Sequence, residues 1–299
     1  MSLSLDSISP SGVLRNNSRG QSISEPVVTL LAPPNQQTIR HRTRLGPGRR
    51  LRYGAWLGPA LLLLGWTLAS ATGLLDHRVL SEPWIVVATA AELIADGRLP
   101  AHLLTSAQRA FLGLGLGLVT GTFLALASGL SRTGEALLDG PIQIKRAVPT
   151  LGLIPLLILW FGIGEWMKVL TIALGVFVPI YIHTHGGLRT IDARYVELAQ
   201  TVRLSKWQFV RRVALPGALP GFLTGLRLAV TGSWLALVVV EQINATSGIG
   251  YMMSLARSYG QTEVIIVGLT VYGLFGLFSD IAVRLLERKA LAWRRILAD

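Results

Sequence analysis

From Gly54 onward the chain is a succession of apolar stretches, each close to the ~20 residues an α-helix needs to cross ~30 Å of hydrocarbon. Nothing else in the sequence restricts the fold as much. Six stretches are read, over residues 54–75, 105–130, 147–162, 169–186, 217–240 and 264–286. Only 15% of the residues are charged, where a soluble domain carries about a quarter. A soluble helical core burying six such stretches would need far more charge on its outer faces. The expected fold is therefore all-α and polytopic, with six transmembrane helices. Gly113, Gly115, Gly117 and Gly121 in the second stretch are small residues that let neighbouring helices approach closely. Pro149, Pro155 and Pro179 interrupt the third and fourth, which places those two against other helices, where freed carbonyls find partners.

Residues 1–53 are a different material, rich in Ser, Asn, Gln and Pro, with eight arginines opposed only by Asp6 and Glu25. Such a stretch buries too little apolar surface to offset its ordering entropy, so a basic, mostly disordered cytoplasmic tail is expected, followed by a membrane-spanning body over 54–299. An organelle transit peptide would need an amphipathic helix, which Pro33, Pro34 and Pro47 oppose. Placing the N-terminus inside puts 22 of the 28 basic residues on the cytoplasmic side and four outside, with Arg109 and Arg227 within spans. That asymmetry predicts both termini in the cytoplasm. The net charge of +12 then reports orientation and does not advertise for an anion on the outer face.

One hydrophilic segment remains, residues 189–216, between the fourth and fifth stretches. Ile191, Tyr195, Leu198 and Val202 recur at helical spacing, and Trp207, Val210 and Val213 follow after a polar break. Two short amphipathic helices outside the membrane, ended by Pro216, are expected. Docking to a cytosolic partner and lying on anionic headgroups are equal readings of the periodicity.

Glu197-Leu198-Ala199, position 203 three residues further on, and Val213-Ala214-Leu215-Pro216 nine residues after that resemble the EAA signature of the membrane subunits of bacterial ABC importers. The stretches at 130–139, 148–165, 175–192, 215–229 and 244–257 resemble one branch of that family, the permeases for aliphatic sulfonates and taurine, with nitrate and bicarbonate permeases as near relatives. The likeness runs from about Leu51 to the C-terminus. It implies a type I importer permease in the bacterial inner membrane, homodimeric, joined to two cytosolic ATPase subunits and fed by a periplasmic or lipid-anchored binding protein. It also implies that Glu197, Leu198, Ala199, Arg203, Leu204, Ser205, Leu215 and Pro216 belong to the coupling segment that seats in the ATPase. Residues 203–206 would turn between its two helices. Arg203 stands where the family has Gly, and Leu198 where it often has Ala. If that Gly takes φ > 0, arginine there costs on the order of 1 kcal/mol, unless the turn is built differently.

The remaining ionisable residues within or at the ends of spans are Arg109, Arg227, Glu241 and Asp280. Arg227 is read either as a translocation-path cation or, the stronger reading, as a structural arginine paired with an acid such as Glu241. Trp234, Glu241 and Asn244 are read as residues of the translocation path or gate, and the loop containing Gly248 and Gly250, with Trp234, is expected to form the outer gate and touch the binding protein. His183 and His185 lack a nearby third ligand, so they are read as a helix end and no bound metal or other cofactor is expected. No glycine–lysine P-loop motif is present, so ATP and Mg would belong to the partner ATPase and this chain is not itself an enzyme. The basic tail suits anionic lipid better than nucleic acid. The rival classes are a secondary transporter, which would leave 190–216 without a role, and a membrane enzyme, which would need clustered His or carboxylates at one face.

Overall fold

The computed structural model describes residues 54–77 and 79–293. The tail expected over 1–53, Arg78, Arg294 and Arg295 lie outside the described residues. In chain order the helices are α1 (Gly54–Ala71), α2 (Pro83–Ala95), α3 (Arg98–Gly129), α4 (Arg132–Ala147), α5 (Ile154–Phe161), α6 (Glu165–Arg189), α7 (Ala193–Thr201), α8 (Lys206–Phe209), α9 (Leu215–Asn244), α10 (Ile249–Ser258) and α11 (Thr262–Ala290). A 3₁₀ turn, Thr150–Leu153, leads into α5, and a π turn, Val210–Ala214, leads into α9. Among the described residues there is no strand, so the all-α expectation holds.

Four helices are long and apolar enough to cross a membrane: α3, α6, the continuous helix from Lys206 to Ile243, and α11. The third expected stretch is not one helix over 147–162. The chain leaves the helical region at Val148, φ −85° and ψ 121°, because the ring of Pro149 disfavours αR in the residue before it. The 132–147 and 150–161 pieces meet at 91°, which makes them either one broken span, a fifth by this count, or a re-entrant loop. The first expected stretch forms α1, which stops at Ala71 and falls among the shorter apolar helices. Length and composition therefore give four or five spans.

A second expectation changes at Pro216. The amphipathic segment does not end there: α8, the π turn and α9 run on as one 38-residue helix. Proline lacks the N–H of an i→i−4 bond, and a π turn directly ahead of it absorbs that loss without stopping the helix.

The core is a stack of α3, α6 and α9. A Cβ added at Gly113 would lie 2.6 Å from the Ile172 side chain, at Gly117 2.6 Å from the Ala173 carbonyl oxygen, and at Gly121 2.9 Å from the Phe177 carbonyl oxygen. Glycine at every fourth residue thus brings the α3 backbone onto the face of α6 that carries Ile172, Val176 and Ile180, all fully buried. Gly115 points into open space. On the other face of α6, a Cβ at Gly225 would stand 2.8 Å from the carbonyl oxygen of Pro179, so the proline-bearing part of α6 meets α9, as its reading as a bundle-facing helix requires. This stack fixes the ends of α6 and α9, and those ends carry the functional side chains.

Candidate functional site

The segment between α6 and α9 is built by local hydrogen bonding. Asp192 caps α7, its carboxylate accepting from the Arg194 amide at 2.9 Å. At the other end of α7 the Leu204 amide donates to the Ala199 carbonyl at 2.9 Å and the Arg203 amide to the Gln200 carbonyl at 3.0 Å. These paired 6→1 and 5→2 bonds define a Schellman motif. Arg203 holds its left-handed position with φ 51°, the one positive φ outside glycine among the described residues. The turn is Val202–Ser205, and Lys206 already belongs to α8. Ser205 starts that helix with a capping box: its hydroxyl accepts from the Gln208 amide at 3.3 Å, and its own amide donates to Gln208 Oε1 at 2.9 Å.

One small face of this hairpin is anchored. Ala199 is buried, and Leu188, Ala214 and Ala218 form a buried cluster with Leu126, Ile191 and Phe209 packed against it. Everything else faces out. Tyr195, Leu198 and Val202 are exposed and Trp207 is 70% exposed, making an apolar ridge rimmed by exposed Arg194, Arg203, Lys206, Arg211 and Arg212. Glu197 is exposed beside it, and its carboxylate meets no side chain among the described residues. Leu215 is partly exposed. Pro216 lines a cavity of about 830 Å³ with His183, Tyr195, Gly217 and Trp293. His185 stacks on Tyr181 at 5.5 Å. Apolar residues are thus held out on a short, capped hairpin, an exposed patch of the kind that marks interaction surfaces.

At the opposite end of α9 lies a network that sequence reasoning did not assemble. Arg109 of α3 uses all five of its N–H donors. Nε and Nη2 grip Glu165 at 2.6 and 2.7 Å, Nη1 donates to Glu241 at 2.8 Å and to the Ser247 carbonyl at 2.6 Å, and Nη2 also donates to Ser247 Oγ at 2.9 Å. Lys168 adds a 2.8 Å bond to Glu165. Glu241, fully buried, accepts also from Ser106 Oγ, the Gly250 amide and the Tyr272 hydroxyl at 2.8, 2.9 and 2.9 Å. Two cations meet two carboxylates, so the cluster is neutral, and the fully buried Glu241 has donors on both of its oxygens, the condition under which a buried ion is tolerated. Gly248, at φ 107°, leaves room for the Glu241 carboxylate, and a Cβ at Gly250 would stand 2.6 Å from Glu241 Cβ. The two glycines thus do more than turn the chain: they let the start of α10 close over the carboxylate.

Glu241 is therefore the partner of Arg109 and not of Arg227. Arg227 pairs with Asp280 of α11, Nε to Oδ1 at 2.9 Å. Trp234 is buried two helical turns along α9 from Glu241. Its ring stacks on Phe275 at 5.0 Å, and its Nε1 donates to Ser279 Oγ at 3.1 Å, so it is a packing residue between α9 and α11 within this chain. The side chain of Asn244 lies outside the described residues. Depth was the missed signal. Arg109 near the start of the second stretch and Glu241 at the end of the fifth sit at the same level in antiparallel spans.

Known proteins bear on this arrangement. The profile of the family described as binding-protein-dependent transport system inner membrane component matches residues 114–291. The putative aliphatic sulfonates transport permease protein SsuC of Bacillus subtilis (strain 168) is 40% identical over 267 residues, 88% of this chain and 95% of that protein. Its namesake in Escherichia coli (strain K12) is 46% identical over 243 residues, 81% and 92% of the two chains. The taurine transport system permease protein TauC of E. coli is 33% identical over 239 residues, 78% and 87% of the two chains. In fold, the chain is similar to a solved amino acid ABC transporter, with TM-score 0.57 and 19% identity over 67% of this chain and 97% of that one. The protein belongs to the family of binding-protein-dependent transport system inner membrane components: it is an integral-membrane permease of the ABC importer class.

Proposed function

We propose that this chain is the permease subunit of an ATP-driven importer for an aliphatic sulfonate, an alkanesulfonate or taurine, delivered by a binding protein. The exposed apolar ridge of Tyr195, Leu198, Val202 and Trp207, held on its capped hairpin, carries the mechanical half of this reading. It would seat in a cytosolic ATPase, with Glu197 beside it making the polar contact, so that closure of two ATPases moves the helix that runs without a break from Lys206 to Ile243. Ala199, buried beneath the ridge, keeps the seat close to the bundle. The rim of five cations asks for acidic residues around the ATPase groove. ATP and Mg belong to that partner, and this chain binds neither. Two copies of the chain form the pathway, both termini lie in the cytoplasm of a bacterial cell, and α1 completes a sixth span. The names and identities of the relatives support sulfonate as cargo.

The test is co-purification of the chain with its cognate ATPase before and after Glu197→Arg. Loss of association, with the permease still in the membrane, is expected; unchanged association and transport would rule out the docking role. For cargo, deletion of the gene should abolish growth on ethanesulfonate or taurine as sole sulfur source. Intact growth on both, with loss on nitrate as nitrogen source, would reassign it.

A further inference from the structure

Asp280 holds two arginines at once, each through its Nε. Its Oδ1 accepts from Arg227 Nε at 2.9 Å and its Oδ2 from Arg284 Nε at 2.7 Å. The terminal nitrogens of both guanidiniums have no partner among the described residues. The contrast with Arg109, whose five donors are all used, is direct. The three side chains of this second cluster are 44%, 25% and 55% exposed for Arg227, Asp280 and Arg284. With two cations and one anion the cluster carries a net charge of +1.

Its position makes that charge informative. Arg227 stands about 18 Å along α9 from Leu215, and Asp280 about 15 Å before the end of α11, at 1.5 Å per residue. A net charge at such depth is costly against lipid and is kept where it faces a cavity or a partner. The exposed face of α9 that carries Arg227 also carries Thr224 and Thr231, one turn to either side. Their hydroxyls donate to the Pro220 and Arg227 carbonyls at 3.0 and 3.1 Å, which leaves oxygen lone pairs on the surface. Direct packing of this face on its equivalent in a second copy would oppose two like charges across a twofold axis.

We propose that this face of α9 and α11 lines a water-filled path, and that Arg227 and Arg284, positioned by Asp280, form a transit site for the oxyanion headgroup of the cargo. The inference rests on the sulfonate reading above and adds the residues that handle the anion. Each guanidinium presents its two outer nitrogens as a planar fork, the geometry that suits two oxygens of one sulfonate. Asp280 does two things. It fixes both forks through Nε, and it cancels one of the two positive charges, which keeps binding weak enough for the anion to leave.

The chain has no cysteine, so Thr231→Cys supplies a single thiol one turn from Arg227. In the assembled transporter in membranes, its reaction with a sulfonate-bearing methanethiosulfonate is compared with that of a trimethylammonium-bearing one, each scaled to a free thiol in solution. The anionic reagent is expected to react several-fold faster, ethanesulfonate should slow it, and the preference should vanish when Arg227→Gln and Arg284→Gln are added. A faster cationic reagent, a preference that survives both substitutions, or no slowing by any transported anion would overturn the site. So would a thiol that neither reagent reaches, or that instead forms a disulfide with a second copy. If wild-type cells take up no sulfonate, the cargo reading fails alone: the charge preference, with slowing by whichever anion is transported, still decides the transit site.

Discussion

Arg203 occupies the left-handed position of a Schellman turn, where most L residues bear a steric penalty of about 1 kcal/mol that glycine escapes. The bonds from Leu204 to Ala199 and from Arg203 to Gln200 enforce that conformation whichever residue stands there. The strain is therefore stored and can be released. Arg203→Gly is expected to stabilise the end of α7 by about 1 kcal/mol, which would slow hydrogen exchange of the amides in residues 199–205 about fivefold. Unchanged or faster exchange would show the arginine to be unstrained. The sequence showed that a glycine position was filled by arginine, but the conformation at that position came from the turn's hydrogen bonds. At Arg227 the sequence supplied the charge and its depth but not its partner. Both Glu241 and Asp280 were available acids, and only the placement of α11 beside α9 selects Asp280.

At the scale of elements, the α3–α6 contact depends on the absence of three Cβ atoms. The i, i+4, i+8 spacing of Gly113, Gly117 and Gly121 puts them on one face of α3, against α6. Gly117→Ala is expected to cost about 1–3 kcal/mol, since the new Cβ would press on the Ala173 carbonyl and Val176 and drive the helices apart. Gly115→Ala, in open space, is expected to be neutral or to gain up to about 1 kcal/mol from helix propensity. Thermal melts of the two variants in detergent separate them, and equal melting points would sink the close-packing account. Composition made all four glycines candidates; only the direction in which each faces distinguishes three from the fourth. The broken third span was half legible. Pro149 marks the break, but the 91° angle reflects how α4 packs on α3 and α5 on α6.

For the whole molecule, the helix from Lys206 to Ile243 is about 57 Å long, so α8 and α10 stand at opposite ends of the bundle. If the excess of cations marks the cytoplasmic side, a thiol-specific reagent that does not cross membranes should label Arg257→Cys in intact spheroplasts and Lys206→Cys only after permeabilisation. The reverse pattern would invert the topology. The absence of cysteine makes each a single-site measurement. The sequence alone determined the helical class, the medium, the family likeness and the position of the exposed hairpin. Each of these is written in local periods: the length of an apolar run, the i, i+3, i+7 recurrence of Tyr195, Leu198 and Val202, and the spacing from Glu197 to Pro216. Tertiary structure alone decided which charges within the helical bundle meet. Arg109 finds Glu165, Glu241 and Ser247 across 56 to 138 residues of chain, and Arg227 finds Asp280 across 53. Pairing at such separations depends on the relative height and rotation of packed helices. A hydrophobic stripe leaves both undetermined, and close glycine contacts, proline breaks and the demand that every buried ion be neutralised fix them together.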